Sequence, residues 1–264
     1  MNIVVCVKHI PDPNVPPEMD GTTLKRDGVQ GVMDPGDEFG VEAGLQIVER
    51  LATGGGESGD GEVTLVSMGP EMAMEAIRRG LSMGADKGIL VSDDALKGSD
   101  ALVTAKVLAE AIKKNGDFDL VIAGVESTDG YTGTLAGTLA EFLGVPHVSI
   151  VKEIVSTEGG TLKVNRQTLD GYHVVEVALP AVISVTAGVN EPRYASFKGI
   201  MAAKKKPVEQ LSLSDLGLSG NDVVVKQEVT ELSKAEEREG GEIIEDDGSA
   251  AAKIADFLKE AKVI

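Results

Sequence analysis

The sequence predicts an α/β protein of three layers, a mostly parallel sheet with helices on both faces, continued by a C-terminal arm. Three observations predict it. Short apolar runs alternate with amphipathic helical stretches four times within about the first 125 residues. Short connections in that rhythm call for right-handed crossovers into one sheet covered on both sides. The chain also holds 32 Gly among 264 residues, only 3% aromatics and no Trp, so its core must be built from Val, Ile, Leu, Ala and Met in tight layers. That length suffices for one large or two small domains.

Asn2 to Val7 reads as a buried strand, and Pro11, Pro13, Pro16 and Pro17 make the following stretch a loop. Asp34-Pro35-Gly36-Asp37 is a turn and cap signal before a helix from Glu38 to Leu51, with Phe39, Ala43, Ile47 and Leu51 on its inner face. Residues 54–61 are a Gly-, Ser- and acid-rich loop. Glu62 to Ser67 is a strand, Met68-Gly69-Pro70 a turn, and Glu71 to Met83 a helix with Met72, Ala76, Ile77 and Leu81 inward. A strand from Lys87 to Val91, a helix from Asp100 to Lys113 capped by Ser99, and a strand from Leu120 to Ala123 follow. Thr134 to Leu143 is helical, and Val145 to Ile150 begins another strand.

From Val151 the period becomes two. Thr161 to Arg166 and His173 to Val177 read as antiparallel strands joined around Asp170-Gly171. Ala181 to Val185 returns to the main sheet. The domain is expected to close at Lys206. Residues 207–264 carry 14 acidic and 6 basic side chains, are broken at Gly240-Gly241 and Gly248, and end in an amphipathic helix over 250–262. Ile254, Phe257, Leu258 and Ala261 share one side of it. This is an arm, with too few apolar residues for a core of its own.

Composition excludes several functions. A formal net charge of -18, from 43 acidic and 25 basic residues, repels phosphate backbones and anionic membranes, so no nucleic-acid role is expected. Scarce aromatics argue against a base-stacking platform. Cys6, the single cysteine, lies in an apolar run and reads as a small buried hydrophobe. No leader and no apolar span are evident, and a cytoplasmic location without integral membrane association is expected. His9, His147 and His173 lack metal-ligand spacing, and no nucleophile elbow or Gly-Lys-Ser/Thr phosphate loop occurs. No catalytic residue and no metal are expected.

Ligands of open α/β sheets sit outside the carboxyl ends of the strands. Val7-Lys8-His9, Ser67-Met68-Gly69 and Gly124 to Gly133 all fall there. The last offers small residues, hydroxyls and amides at a helix start, suited to phosphate or ribose. It reads equally as an Asx-rich turn without a ligand. Asp129 suits either a ribose hydroxyl or its own loop amides. The other conspicuous stretch runs from Asn190 to Lys206. Its Tyr194, Phe197, Ile200 and Met201 are too apolar for an idle loop, and fit a partner or the packing of the arm. Arg193, Lys198 and Lys204 to Lys206 form the concentrated basic cluster, facing either a partner or the chain's own acids.

These stretches resemble the beta-subunit branch of the electron transfer flavoprotein family, which includes the FixA-type proteins. The resemblance rests on Asn190-Glu191-Pro192-Arg193-Tyr194 through Lys206, Val4 to Lys8, Ser82-Met83-Gly84-Ala85-Asp86, Leu179-Pro180-Ala181-Val182 and Ser127 to Gly133. Phe257 to Lys262 is similar to the family's terminal helix. The resemblance implies a Rossmann-like adenine-nucleotide-binding domain over 1–206 and an arm over 207–264 whose helix packs on an alpha subunit. It implies FAD held mainly by that alpha subunit and a structural AMP here. Electrons would come from acyl-CoA or similar flavoprotein dehydrogenases and pass towards the quinone pool, with the chemistry supplied by the flavin.

Carried over by residue, the resemblance puts the nucleotide on Val7, Lys8, His9, Ser67, Met68, Gly69, Gly124, Ser127, Asp129, Gly130, Thr132, Gly133 and Thr134. Amides at 130–134 would bind phosphate, and residues 7–9 and 67–69 would line the adenosine. Partner recognition maps to Arg193, Tyr194, Phe197, Lys198, Gly199, Ile200 and Met201, with Phe197 entering a client dehydrogenase. The family's electron-bifurcating members carry a second FAD in place of AMP and an Asp-Gly-Asp-Thr-type loop. Here Asp129-Gly130 is followed by Tyr131-Thr132, a variant resembling the housekeeping type of high-GC Gram-positive bacteria. A stress-protein-like ATP/AMP-binding domain is a further alternative of related fold.

Overall fold

The structure, a computed structural model, describes residues 1–53, 61–233, 241 and 243–264. The expected loop over 54–61 and the break at Gly240 lie, Gly61 apart, outside the described residues. The described chain divides into compact units over Met1–Val229 and Thr230–Ile264.

The first unit begins with β1 (Asn2–Cys6). A small excursion follows, made of β2 (His9–Pro11), β3 (Met19–Asp20), β4 (Thr23–Leu24) and β5 (Gly31–Met33). The expected alternation then unfolds as α1 (Pro35–Thr53), β6 (Glu62–Met68), α2 (Met74–Met83), β7 (Lys87–Val91), α3 (Ala101–Asn115), β8 (Leu120–Gly124) and α4 (Leu135–Leu143). Next come β9 (His147–Glu158), β10 (Thr161–Thr168), β11 (Gly171–Ala178), β12 (Ala181–Val185), α5 (Phe197–Ala203) and β13 (Val208–Leu211).

A nine-stranded sheet runs in the order β11-β10-β9-β12-β8-β1-β6-β7-β13. Pairing is parallel from β9 through β13, and antiparallel where β10 meets β9 and β11. The α/β class with helices on both faces is therefore as the sequence predicted. Residues of β1 alternate between two cores: Ile3 and Val5 pack with Val41, Ala43, Ile77 and Leu81, whereas Val4 and Cys6 pack with Val103, Ile112 and Leu139. Each fully buried aliphatic side chain of this kind contributes about 1.5–3 kcal/mol.

Local departures have physical causes. Leu51 is 38% exposed, and α1 instead presents Gly40 and Gly44 to the sheet. A Cβ on either would lie 3.3 Å from a Val5 methyl, so the missing side chains bring this helix close. The cap of α3 is Asp100, whose carboxylate accepts from Val103 N, while Ser99 Oγ donates to Leu96 O. Pro11 pairs with Gly31 in a short ladder, because a proline is tolerated on a two-stranded edge.

The expected close of the domain at Lys206 also moves. Val208–Leu211 pairs with Gly88–Val91 as an edge strand, and Leu211, Leu213 and Val223 are buried in the second core. The second unit contains α6 (Ala250–Glu260), with Ile254 49% and Phe257 67% exposed.

Candidate functional site

After β1 the chain moves outward through β6 and β7, then returns to place β8 on the other side of β1. The crevice at that reversal is where open parallel sheets receive ligands. Residues 7–9 and 124–134 leave its two central strands, and 67–69 leaves the next one.

The start of α1 ties these loops together. Asp34 precedes the helix and Pro35 opens it, an arrangement that suits proline's fixed φ and missing N–H. The Asp34 carboxylate accepts from Gly36 N at 2.9 Å, and also from Thr128 N at 2.6 Å and Thr128 Oγ1 at 2.9 Å. A helix cap is thereby also the anchor of the loop after β8. One turn on, Asp37 Oδ2 accepts from Lys8 N at 2.7 Å. Desolvation first, and Asp34 second, push the Asp37 carboxyl well above its ordinary range. Gly124 leaves room for it, since a Cβ there would lie 3.2 Å from Asp37 Oδ1.

Asp129 collects two cations. The Lys8 ammonium donates to Asp129 Oδ1 at 2.6 Å and to Ser127 Oγ at 3.2 Å, and the Arg26 guanidinium donates to Asp129 Oδ2. Burial opposes charge on Asp129, whose side chain is 4% exposed, but Lys8 and Arg26 outweigh it and hold the carboxyl below its usual range. Asp129 was expected to bond its own loop amides or a ribose. The turn is closed differently, by Gly130 N and Tyr131 N donating to Ser127 O at 3.3 and 2.9 Å. Those two amides are committed, which shortens the expected phosphate-binding run to Thr132, Gly133 and Thr134. Gly133 takes φ +62° and Tyr131 φ 48°, the latter an unusual left-handed conformation for an aromatic residue.

The remaining predicted residues divide. Val7 is buried, with its N–H donating to Val66 O, and Gly69 N donates to Val91 O. Ser67 is 1% exposed, and its Oγ has no hydrogen-bond partner among the described residues. Met68 is partly buried beside the second core. His9 does not join the Asp129 group. Its ring packs where a Cβ of Gly31 would otherwise lie, and Nε2 stands 3.7 Å from Glu75 Oε2.

In the Asn190–Lys206 stretch Arg193 and Lys206 are committed to the body of the protein, while Lys198, Lys204 and Lys205 are exposed. Arg193 faces the chain's own acids: it bonds Glu42 Oε2 at 2.7 Å and Glu49 Oε1 at 2.6 Å. Glu49 and then Glu42 raise its already high pKa. Lys206 donates to the carbonyls of Leu81, Gly84 and Ala85 at the end of α2, and Arg78 returns bonds to Ala203 O and Lys206 O. Between these clamps Ser196 caps α5, and Gly199 is pressed against Ser82, whose carbonyl O would lie 2.4 Å from a Cβ. Tyr194 is 93% exposed and Phe197 80%, with Ile200 and Met201 about half exposed. Phe197, Ile200 and Met201 lie on α5, which packs on α2, and Tyr194 just precedes it.

Sequence reasoning missed Arg26, Asp34, Asp37 and Thr128. Asp34 and Asp37 carried a cap signal that understated them. Arg26 carried none, for its partner lies 103 residues away.

The fold and strand-end loops define an open α/β protein with a cluster of polar groups at its topological switch point. The electron transfer flavoprotein domain matches residues 21–216, and the chain belongs to that family. It is 42% identical to the electron transfer flavoprotein subunit beta of Mycobacterium tuberculosis strain H37Rv, over 100% of this chain and 99% of the relative. It is 36% identical to the Methylophilus methylotrophus beta subunit, over 92% and 91% of the two chains. The Caffeyl-CoA reductase-Etf complex subunit CarD of Acetobacterium woodii is 35% identical over the full length of both. The higher identity to mycobacterial proteins agrees with the resemblance to the high-GC Gram-positive type.

Proposed function

We propose that this chain is the beta subunit of a cytoplasmic heterodimeric electron carrier. Its alpha partner holds the redox-active FAD, and the strand-end crevice here holds a structural AMP. Electrons enter from acyl-CoA or similar flavoprotein dehydrogenases and leave towards the quinone pool. FAD supplies the redox chemistry when bound, whereas this chain supplies position and partner choice.

The observation that supports the nucleotide reading is the gathering of polar groups where strands β1, β6 and β8 end at the switch point. Among the described residues, no partner takes up the amides of Thr132, Gly133 and Thr134 before α4 or the buried Ser67 Oγ. Phosphate suits amides at a helix start, and a ribose or adenine edge suits the serine. Asp129 then acts mainly by fixing Lys8 and the 127–131 turn, a positioning role. The exposed Tyr194, Phe197, Ile200 and Met201 support the partner reading, since a clamped apolar group in water has little other use. The name of the Acetobacterium woodii relative links it to a reductase of a CoA ester, which supports clients of that class. The exposed Ile254 and Phe257 of α6 give the arm an apolar face for the alpha subunit.

Expression with and without the alpha partner tests this. The chain alone should be colourless, and the co-purified heterodimer yellow and reversibly reducible by an acyl-CoA dehydrogenase. A stoichiometric flavin in the chain alone, or a stable ATP-bound homodimer indifferent to the alpha subunit, would refute it.

A further inference from the structure

We infer that residues 12–30, the excursion between β2 and β5, form a strap latched to the crevice by Arg26, and that opening this latch sets how fast a bound nucleotide leaves. The inference rests on the nucleotide reading above.

The strap has no core. Residues 13–23 are all exposed, and its two short strands pair only over Met19–Leu24 and Asp20–Thr23. Its polar bonds are otherwise internal. Lys25 meets Glu18, Thr23 meets Asp20 O, Asn14 meets Asp12, Asp12 N meets Gln30 O, and Val29 N meets Arg26 O. Among the described residues, the bond from Arg26 to Asp129 is the polar tie that joins this segment to the rest of the protein. A segment so poor in buried contacts opens at low cost. That tie ends on Asp129, which also holds Lys8.

The arrangement at Asp129 is that of a latch rather than a bolt. Lys8, on the body, holds Oδ1 whether the strap is closed or open, so releasing Arg26 from Oδ2 does not leave a bare buried carboxylate. The Arg26 side chain is 38% exposed, and water can take over its donors. A phosphate on the amides of 132–134 adds negative charge near this pair and favours the closed strap. By linkage, the closed strap equally favours the bound phosphate.

The test uses the full-length chain in its heterodimer, loaded with N-methylanthraniloyl-AMP and chased with excess AMP. Arg26→Gln should speed probe release about tenfold while changing association little, as expected when one partner of a partly buried ion pair is removed. It should also raise hydrogen exchange across residues 13–28 and abolish the slowing that AMP produces there in the parent. Arg26→Lys, which keeps charge without the fork, should fall between. Lys25→Gln, whose Glu18 partner is within the strap, should match the parent. Equal release by Arg26→Gln and parent would overturn the strap and leave the nucleotide reading standing. Faster release with unaltered exchange over 13–28 would overturn it too, making Arg26 a local charge only. Failure of the parent to bind the probe would overturn the nucleotide reading and the strap together.

Discussion

Replacing Arg193 by Gln strands a buried charge. The Glu42 side chain is 4% exposed and that of Arg193 33%, while Glu49 is 56% exposed. Breaking a fully buried pair costs about 3–5 kcal/mol because the survivor stays uncompensated, whereas an exposed pair is worth about 0–1 kcal/mol. Water reaches Arg193, and the Glu49 half of the fork is exposed, so the expected loss is about 2 kcal/mol at neutral pH. For a chain of this size that lowers Tm by about 4–8 °C. The pH dependence follows from Glu42. Burial tends to raise its carboxyl, but bonds from Arg193 and Gln46 prevail and hold it below its ordinary value of 4.5. Stabilisation from a depressed carboxylate is complete above its unfolded pKa and is lost as pH falls through the folded one. The gap between parent and Arg193→Gln should therefore be widest near neutrality and close as pH drops below 4.5. Urea denaturation followed by circular dichroism at several pH values measures it. A gap under about 0.5 kcal/mol at neutral pH, the scatter of ordinary surface substitutions, would refute the reasoning. So would a gap that persists unchanged into acid.

Gly199→Ala places a Cβ 2.4 Å from the Ser82 carbonyl oxygen. Relieving that contact by moving α5 should cost about 1–3 kcal/mol, read by calorimetry, and an unshifted melting curve would contradict the close approach. Phe197→Ala, at an 80% exposed position, should leave melting and heterodimer assembly intact. It should slow reduction by the client dehydrogenase at least about tenfold, and equal rates with every acyl-CoA dehydrogenase tried would sink the docking role. The Cys6 thiol is pushed up to about 12, by burial first and Asp37 second. It should ignore a disulfide reagent at pH 8 until urea is added, and prompt labelling of native protein would count against its place in the core.

The sheet was legible because its central strands are short apolar runs that both helical layers cover, as in Ile3-Val4-Val5-Cys6 and Leu120-Val121-Ile122-Ala123. Edge elements were not. Val208-Glu209-Gln210-Leu211 buries only Leu211, so its composition reads as arm although its backbone completes the sheet. On α1 the stripe of Phe39, Ala43 and Ile47 was legible, Leu51 was not inward, and Gly40 and Gly44 went unread because they pack by lacking side chains, which a hydrophobic stripe does not register. In the crevice, loops at strand ends followed from topology, but their wiring did not. Thr128 and Asp34 are 94 residues apart, and a cap residue gives no sign of a second bond at that distance. The apolar character of Tyr194 and Phe197 was visible in composition. The destination of Arg193 required knowing that Glu42 and Glu49 lie across from it.

Small molecules released by denaturing the purified native heterodimer, identified and counted by mass spectrometry, test the nucleotide crevice most directly. The account predicts AMP and FAD in equal amounts, one of each per heterodimer, with AMP lost when Asp129 is replaced by Ala. Two FAD and no AMP, or AMP retained in full by the Asp129→Ala protein, would contradict it.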